Sequence, residues 1–325
     1  AGLVGWREVP RLPFEMACLP QSWYRFARLP VVSYALPALI AIGQVIQHER
    51  PTWNPLTGLL RRLGRGLSLR VLQRIQPSSG GYLEAAPLTS FVVMSLAKIR
   101  QSRPLGSAGE SVLKLGVEFL ENSVRPDGSW PIDSNLSIWV TTLSLNALAG
   151  ADDLEALEQR SELLQWLQTQ QTKTQHPFTG AAAGSWGWSH LPGSVPDCDD
   201  TPGAVLALQH LANAETQENQ KQAARWILDL QNRDGGWPTF CRGWGKLPFD
   251  RSGADLTAHA LRALRPLADA TSKPIRRGFR YLTKQQRSDG SWLPLWFGNQ
   301  YAPEDINPVY GTARVLAAYR DWDRW

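Results

Sequence analysis

The feature that most constrains the fold of this chain is a short loop that recurs along its length at nearly regular spacing. Three copies are almost identical: Asp-Gly-Ser-Trp at 127–130, Asp-Gly-Gly-Trp at 234–237 and Asp-Gly-Ser-Trp at 289–292. With two looser copies, the aromatic anchors are Tyr82, Trp130, Trp186, Trp237 and Trp292, which lie 48, 56, 51 and 55 residues apart. Periods near this length are typical of repeat proteins, in which each unit buries its apolar face against its neighbours.

Each anchor is preceded by an apolar residue, which lies ten positions before the tryptophan in the three clear copies. Four of the five copies also carry a glutamine between these two residues. The apolar residues are Leu72, Leu120, Leu167, Ile227 and Leu282, and the glutamines are Gln76, Gln170, Gln231 and Gln286. We interpret the glutamines and tryptophans as structural residues that join consecutive helical hairpins. The loops therefore indicate the architecture and not the reaction.

The segments on either side of each anchor have helical periodicity of two kinds. The preceding segments, such as Lys221–Gln231 and Arg276–Gln286, mix charges with one apolar stripe and should be half-exposed. The following segments are far more apolar: Leu88–Ile99, Ile138–Ala149, Thr201–Ala212, Leu256–Leu267 and Thr312–Tyr319. This alternation predicts an all-α fold, an α/α barrel with the apolar helices as its inner ring. We assign residues 77–325 to this barrel and residues 1–76 to an N-terminal part, as a remnant of a second barrel.

Composition excludes several classes of protein. The formal net charge of +5 is far from the strongly basic balance of a nucleic-acid-binding protein. Three widely spaced cysteines do not make a disulfide framework and favour a reducing compartment. Pro30, Ser33 and Pro37 interrupt the most apolar segment, Leu29–Gln47, which predicts a buried or interfacial helix and not a transmembrane span.

An acidic cluster at the start of a predicted inner helix is the strongest indication of chemistry. Asp197, Asp199 and Asp200 place three carboxylates within four residues. Their mutual repulsion should raise at least one pKa and leave a protonated carboxylic acid at neutral pH. On these residues alone, a helix cap with solvated neighbours or a divalent-metal site stays open.

A second pair of polar residues begins the next inner helix. Asp255 and His259 are four residues apart and so lie on one helical face. A lone inward histidine is more often a satisfied core residue, but this one should lie one hairpin from the acidic cluster. The predicted arrangement gives the histidine a carboxylate partner.

These segments together resemble the squalene–hopene cyclase family. Residues 197–201 are similar to the Asp-x-Asp-Asp-Thr motif of class II terpene cyclases, and residues 255–259 to the family's Asp-x-x-x-His. The Gln…Gly-x-Trp loops resemble its repeat signature (the QW repeat), and Tyr310-Gly311-Thr312 matches its Tyr-Gly-Thr. Residues 137–141 resemble a Ser-Pro-Trp-Asp-Thr segment of the family, with Val140 in place of its aspartate. Cys198 occupies the variable position of the acidic motif.

The resemblance implies a role for each of these residues. Asp199 would donate the proton, Asp197 and Asp200 would hold it protonated, and His259, positioned by Asp255, would strengthen the acid. Aromatic faces stabilise a carbocation without trapping it, at about 0.5–2 kcal/mol each. The candidates for substrate contact are Trp188, Trp139, Phe240, Trp237, Trp292, Trp296 and Tyr310. The implied reaction is the polycyclisation of squalene or a related polyprene to a hopene-like triterpene, with no metal or redox cofactor.

A basic and leucine-rich segment, Gly58–Gln76, predicts contact with an anionic membrane surface. Five arginines (Arg61, Arg62, Arg65, Arg70 and Arg74) accompany an apolar stripe of Leu59, Leu63, Leu67, Val71 and Ile75. The resemblance points the same way, since squalene–hopene cyclases are monotopic. We therefore expect a polyprene lipid as substrate, attachment to the cytoplasmic face of a membrane and no nucleic-acid partner. A homodimer stays open.

Two other functions compete with this interpretation. The β subunits of zinc-dependent protein prenyltransferases share the α/α barrel, and Asp197, Cys198 and His259 supply the residue types that bind their zinc. However, Asp199 and Asp200 would be surplus there, and adjacent Asp and Cys have the wrong spacing. The other alternative is a lipid-binding repeat protein, or a fragment, that has lost the chemistry.

Overall fold

The computed structural model describes residues 4–177, 179–211 and 216–323 and is predominantly helical. Its α-helices begin with α1 (Gln21–Phe26), α2 (Val31–Glu49), α3 (Pro55–Ile75), α4 (Ala86–Arg100), α5 (Gly106–Asn122) and α6 (Ser137–Gly150). They continue with α7 (Arg160–Thr169), α8 (Asp200–His210), α9 (Gln217–Leu230), α10 (Ala254–Leu264), α11 (Lys273–Gln285) and α12 (Pro308–Asp321). The apolar segments predicted to be inner helices are helical, except that α10 ends at Leu264 and not at Leu267. Ala212, the end expected for α8, lies outside the described residues.

Two compact units make up the chain. One contains the residues through Ala27 together with Val32–Asn135 and Leu191–Ser194, and the other contains Arg28–Val31, Leu136–His190 and the residues from Val195 onward. The sequence interpretation instead divided the chain after residue 76. The difference arises because α3 packs against α5 within the first unit, so the hairpin that follows residue 76 belongs to the same unit as α3.

Helix α2 is the one described helix that is long and apolar enough to cross a membrane. An 18-residue stretch of this helix has a mean hydropathy of 1.4, and 61% of that stretch is buried within the structure. The helix continues through Pro37. Buried Gln44 donates hydrogen bonds to the carbonyl of Arg65 at 3.1 Å and to Ser68 Oγ at 3.0 Å, which anchors α2 to α3.

Helix α3 is amphipathic, but the sequence interpretation misplaced parts of its two faces. Arg61 is buried and paired with Glu15 at 3.2 Å, and therefore does not belong to an exposed basic face. Ile75 is also buried and Val71 half-buried, because the last turns of α3 pack inward. The leucines exposed on this helix are Leu56, Leu59, Leu60, Leu63 and Leu67.

In the second unit, the predicted inner helices α6, α8, α10 and α12 pack side by side in chain order. Helix α9 lies against α8 and α10, and α11 lies against α10. Their shared core contains the fully buried Trp186 and Trp237. A two-residue antiparallel ladder, β1 (Trp237–Pro238) with β2 (Ser252–Gly253), closes the loop before α10. This ladder is too short to leave a strand pattern in the sequence.

The aromatic anchors bind the residues that precede them in sequence. The indole nitrogens of Trp130, Trp237 and Trp292 donate to the carbonyls of Leu120, Ile227 and Leu282, each ten residues earlier, at 2.7–2.8 Å. Tyr82 donates through its hydroxyl to Leu72 in the same register. Each bond fixes an anchor against the end of the preceding helix.

The glutamines join these loops to the next helix along the chain. Gln231 donates to the carbonyls of Gly235 and Pro274, at 2.9 and 2.8 Å. In the third repeat, Gln171 and not Gln170 bonds both the loop carbonyl of Gly184 and the carbonyl of Asn219. The assignment of Gln170 was wrong by one residue. Gln171 lies four residues after Leu167, the interval at which a glutamine follows the apolar residue in the other three copies.

A threonine at the start of each of three inner helices completes this arrangement. The hydroxyls of Thr201, Thr257 and Thr312 accept the backbone N–H groups of Trp186, Trp237 and Trp292, at 3.0–3.1 Å. A hydrogen bond of this kind contributes about 1 kcal/mol net. The three bonds hold the N-terminal ends of α8, α10 and α12 at their loops, and these ends carry the candidate site.

Candidate active site

Asp197 shapes the acidic cluster through its contacts with the backbone. Its Oδ1 accepts the N–H groups of both Asp199 and Asp200 at 2.8 Å, at the first turn of α8. The other oxygen, Oδ2, is buried without a hydrogen-bond partner in the described structure. Asp197 therefore caps the helix and fixes the directions in which the other two carboxyls leave the backbone.

Burial disfavours the ionised form of the Asp197 and Asp200 side chains. Both are less than 5% exposed. Desolvation raises the pKa of Asp197 to about 7, with hydrogen bonds from Asp200 opposing the rise. Burial, followed by the negative charge of Asp197, raises the pKa of Asp200 well above its usual range. At neutral pH this pair therefore retains at least one proton, as the sequence analysis expected of the cluster.

Asp199 is in a different environment, because it is more accessible and has two donors. The indole Nε1 of Trp139 on α6 lies 3.3 Å from its Oδ2, and Nη2 of Arg314 on α12 lies 3.0 Å from its Oδ1. The side chains of Asp199 and Arg314 are 16% and 18% exposed, respectively. Both donors stabilise the carboxylate form, and the guanidinium contributes a full positive charge at hydrogen-bond distance.

Arg314 is the principal residue that the sequence analysis missed. It lies four residues after Tyr310, and its guanidinium carbon is 5.7 Å from the centre of that ring. The i,i+4 spacing on a predicted inner helix was a usable signal, since it places Arg314 on the face that carries Tyr310. Its partner, however, is 115 residues away in sequence.

His259 and Asp255 lie one turn apart on α10, but their contacts differ from those expected. His259 Nε2 is 3.9 Å from Asp199 Oδ1, which is longer than a hydrogen bond, and Nδ1 has no partner among the described residues. Asp255 instead accepts the backbone N–H of Leu295 at 3.1 Å. The prediction that Asp255 would be the partner of His259 was therefore wrong, because Asp255 accepts a hydrogen bond from the backbone of the following loop.

Burial also sets the charge of these two residues. Desolvation, followed by the positive charge of Arg314, lowers the pKa of His259 well below its ordinary value. Desolvation raises the pKa of Asp255 to about 6. His259 is consequently a neutral imidazole at neutral pH, and Arg314 is the cation in contact with Asp199.

One group of aromatic rings continues from the Trp139–Asp199 contact. Trp139 and Phe297 are parallel with their centroids 6.2 Å apart, and Phe297 lies 5.1 Å from Tyr310. Asn307 places Phe297 there, because its side chain donates to the Phe297 carbonyl and accepts the N–H of Tyr310. Phe297 was not predicted, since its position depends on how the loop before α12 folds.

A second group contains three of the predicted aromatic residues. Trp188 meets Phe240 edge to face at 6.2 Å, Phe240 meets Phe249 at 5.3 Å, and Phe249 lies 6.0 Å from Trp296. The Trp296 indole donates to Thr239 Oγ1 at 2.7 Å. Phe249 joins Phe240 to Trp296 and was also missed. The carbonyl of Trp188 accepts the N–H of Trp139, which links the two groups through the backbone.

Two of the predicted substrate contacts are packing residues. Trp237 is fully buried and Trp292 is 5% exposed, both within the shared core. Their indole nitrogens are bonded to the preceding helices, as described above. These contacts give both rings a packing role, which argues against their assignment as substrate contacts.

Cys198 has the properties of a core residue. It is fully buried, its backbone N–H donates to Thr239, and burial raises the pKa of its thiol well above the usual range. A cysteine binds zinc as the thiolate, a form that this burial disfavours. Within the described residues, no three histidine, cysteine, aspartate or glutamate side chains are arranged to hold a metal ion.

Comparison with known proteins identifies the family. The squalene–hopene cyclase C-terminal domain family matches residues 136–324, more than half of the chain and all of the residues described above as the candidate site. The chain belongs to the squalene–hopene cyclase family. Its fold class is accordingly the all-α, class II terpene cyclase-like α/α barrel that the sequence predicted.

The chain is also similar to individual proteins of known sequence and to a solved structure. The chain is 30% identical to enfumafungin synthase of Hormonema carpetanum over 396 residues, which cover 97% of the chain and 30% of that protein. It is 25% identical to a probable squalene–hopene cyclase of Sinorhizobium fredii, over 98% of the chain and 58% of that protein. The chain thus spans little more than half the length of this bacterial cyclase. The type II terpene cyclase MstE from Scytonema aligns over 89% of the chain and 85% of its own length, with 17% identity and a TM-score of 0.36.

Proposed function

We propose that this chain carries the acid site of a class II terpene cyclase and starts the polycyclisation of squalene, or a related linear polyprene, by protonation. The product would be a cyclic, hopene-like triterpene. One observation carries the proposal: a carboxyl with two hydrogen-bond donors adjoins two buried carboxyls and a group of aromatic rings. Family membership supports the same reaction.

In the proposed first step, the proton of the Asp199 carboxyl is transferred to a terminal C=C carbon. The π electron pair forms the new C–H bond, leaving a tertiary carbocation and the Asp199 carboxylate. An acid is stronger when its conjugate base is stabilised. Arg314 and Trp139 are in position to stabilise this carboxylate, a role that the sequence analysis gave to His259. The Asp197–Asp200 pair supplies a nearby store of protons for the next turnover.

The aromatic rings then have a defined purpose. Trp139 contacts the acid, and Trp188 and Phe240 belong to the second group of rings, which is linked to Trp139 through the backbone. An aromatic face contributes about 0.5–2 kcal/mol to a nearby cation without forming a bond to it. Phe297 and Tyr310 extend this lining. Each successive ring closure moves the cation along the chain, so rings at several positions are needed.

The test is incubation of the detergent-solubilised chain with squalene, followed by extraction and gas chromatography–mass spectrometry. A cyclic triterpene should form, and Asp199→Asn should abolish it, because an amide cannot donate the initiating proton. Asp153→Asn is the matched control: it makes the same change at an exposed aspartate and should retain activity. Loss of product in both variants, or product from Asp199→Asn, would overturn the assignment of Asp199.

We also propose that α3 rests on the cytoplasmic face of a membrane through its exposed leucines. Five leucines on one side of this helix are 46–68% exposed, a large apolar area for a protein surface. Arg70 and Arg74 are exposed on the same side and would meet anionic headgroups. Co-sedimentation with phosphatidylglycerol vesicles tests this: Leu63→Asp should weaken binding, and an unchanged bound fraction would contradict it.

A further inference from the structure

A pocket in the first unit is lined by cations that the proposed function does not use. It has a volume of about 220 Å³ and lies between α2 and α3. A water molecule occupies about 30 Å³ of liquid volume, so the pocket has room for several waters or for one tetrahedral anion. Its charged lining consists of His48, Arg61, Arg62, Arg65 and Arg103.

One of these cations is neutralised by the protein itself. Arg61 pairs with Glu15 and donates to Gln47 Oε1 at 2.9 Å. Glu49, the other acid nearby, is 3.9 Å from His48 and 3.7 Å from Lys98. No ion pair in the described part of the chain involves Arg62, Arg65 or Arg103. Three guanidinium groups therefore share the pocket without a counter-charge.

These positive charges act on one another. Burial, followed by the charge of Arg65, lowers the pKa of Arg103. Burial, followed by the charge of Arg103, lowers the pKa of His48, although Glu49 opposes this. The fold therefore maintains a repulsion that a bound anion would relieve.

The orientation of Arg65 separates this pocket from the leucine surface of α3. Arg65 lies nine residues after Leu56, which is two and a half turns, so it is on the opposite side of the helix. Arg61 and Ser68 are buried on that protein-facing side, whereas Arg65 is exposed because it borders the pocket.

From these observations, we infer that Arg62, Arg65 and Arg103 form a binding site for a phosphate group. The planar guanidinium binds phosphate oxygens through pairs of parallel hydrogen bonds, and three such groups around one cavity match a tetrahedral anion. The phosphate belongs either to a soluble anion or to the headgroup of an anionic lipid. The site is independent of the cyclisation chemistry proposed above.

Isothermal titration calorimetry of the whole chain with inorganic phosphate, in phosphate-free buffer at constant ionic strength, tests the site. Arg65→Gln and Arg103→Gln should each weaken binding about tenfold or more, as expected for the loss of a charged hydrogen-bond donor. Arg125→Gln is the matched control, since it makes the same charge change at an exposed position outside both the pocket and α3. This variant should bind phosphate as the unchanged protein does.

A second titration distinguishes the source of the phosphate group. Phosphatidylcholine vesicles with and without phosphatidic acid replace inorganic phosphate. Binding of phosphatidic acid alone, sensitive to Arg65→Gln but not to Arg125→Gln, would support the site with a lipid as its ligand. Equal losses in pocket and control variants, or no binding of either probe, would overturn the inference.

Thermal unfolding distinguishes a variant that has lost the phosphate site from a variant that is misfolded. Without phosphate, Arg103→Gln should unfold at the same temperature as the unchanged protein or slightly above it, because the variant removes a repulsion. With phosphate, the unchanged protein should gain stability by mass action and the variant should not. A variant that is less stable in both buffers, with its phosphate response intact, would contradict the proposal.

Discussion

Arg314→Met is the substitution whose effect follows most directly from the geometry of the site. The variant keeps most of the length of the side chain but removes the guanidinium that lies 3.0 Å from Asp199 Oδ1. A hydrogen bond to a charged partner contributes about 1.5–3 kcal/mol when partly shielded from solvent. Because Asp199 becomes charged only as it gives up its proton, this stabilisation is gained in the transition state and not with the substrate bound.

Since each 1.36 kcal/mol changes a rate tenfold, Arg314→Met should lower kcat for cyclisation by roughly ten- to a hundredfold. KM should change little, because the guanidinium faces a carboxylate and not the lipid. The assay is steady-state formation of cyclic product by gas chromatography. Arg314→Lys should recover part of the loss, and Arg320→Met, an exposed position on the same helix, should have no effect.

A faster Arg314→Met enzyme would refute this reasoning. That result would mean that the guanidinium mainly keeps Asp199 deprotonated between turnovers and so opposes reloading of the acid. An unchanged kcat would mean that the contact has no part in the reaction.

Three further predictions concern the site and its supports. Trp139→Phe removes the indole donor to Asp199 while keeping an aromatic face. The loss of a hydrogen bond of about 0.5–1.5 kcal/mol should lower kcat by up to about tenfold. A drop in KM alone would contradict this prediction. Trp237→Phe should lower the free energy of unfolding by about 1–3 kcal/mol, because it removes a hydrogen bond and leaves a small cavity. Urea unfolding measures this loss, and kcat of the folded enzyme should not change. A selective loss of kcat would instead support Trp237 as a substrate contact. The pKa values of Asp197 and Asp255 in the folded protein are about 7 and about 6, against an ordinary value of 3.8, so both carboxyls bind protons more tightly when folded. The stability they contribute is fully present below pH 3.8 and is lost as pH rises through 6 to 7, and Asp255→Asn should flatten that slope in urea titrations; an identical slope would argue against a buried, proton-binding Asp255.

The sequence predicted those features that depend on local spacing. The ten-residue interval between Ile227 and Trp237 corresponds to one hydrogen bond, and the three aspartates around Cys198 fall at a helix start because Asp197 caps that turn. Both are consequences of a few adjacent residues, so a pattern in the chain can specify them.

The features that escaped prediction depend on how distant segments meet. The ion pair of Arg314 with Asp199 requires α12 to lie beside the N-terminal end of α8, and no local pattern records that distance. Asp255 also had two potential partners, His259 one turn away and the backbone N–H of Leu295 in a distant loop. The choice between them depends on the conformation of that loop.

The central claim, that a proton from the protein starts the reaction, is tested most directly by cyclisation in deuterium oxide. The Asp199 carboxyl exchanges with solvent between turnovers. The product should therefore contain one deuterium at the carbon protonated in the first step, and unreacted squalene should contain none. A cyclic product without deuterium at that carbon would contradict proton initiation.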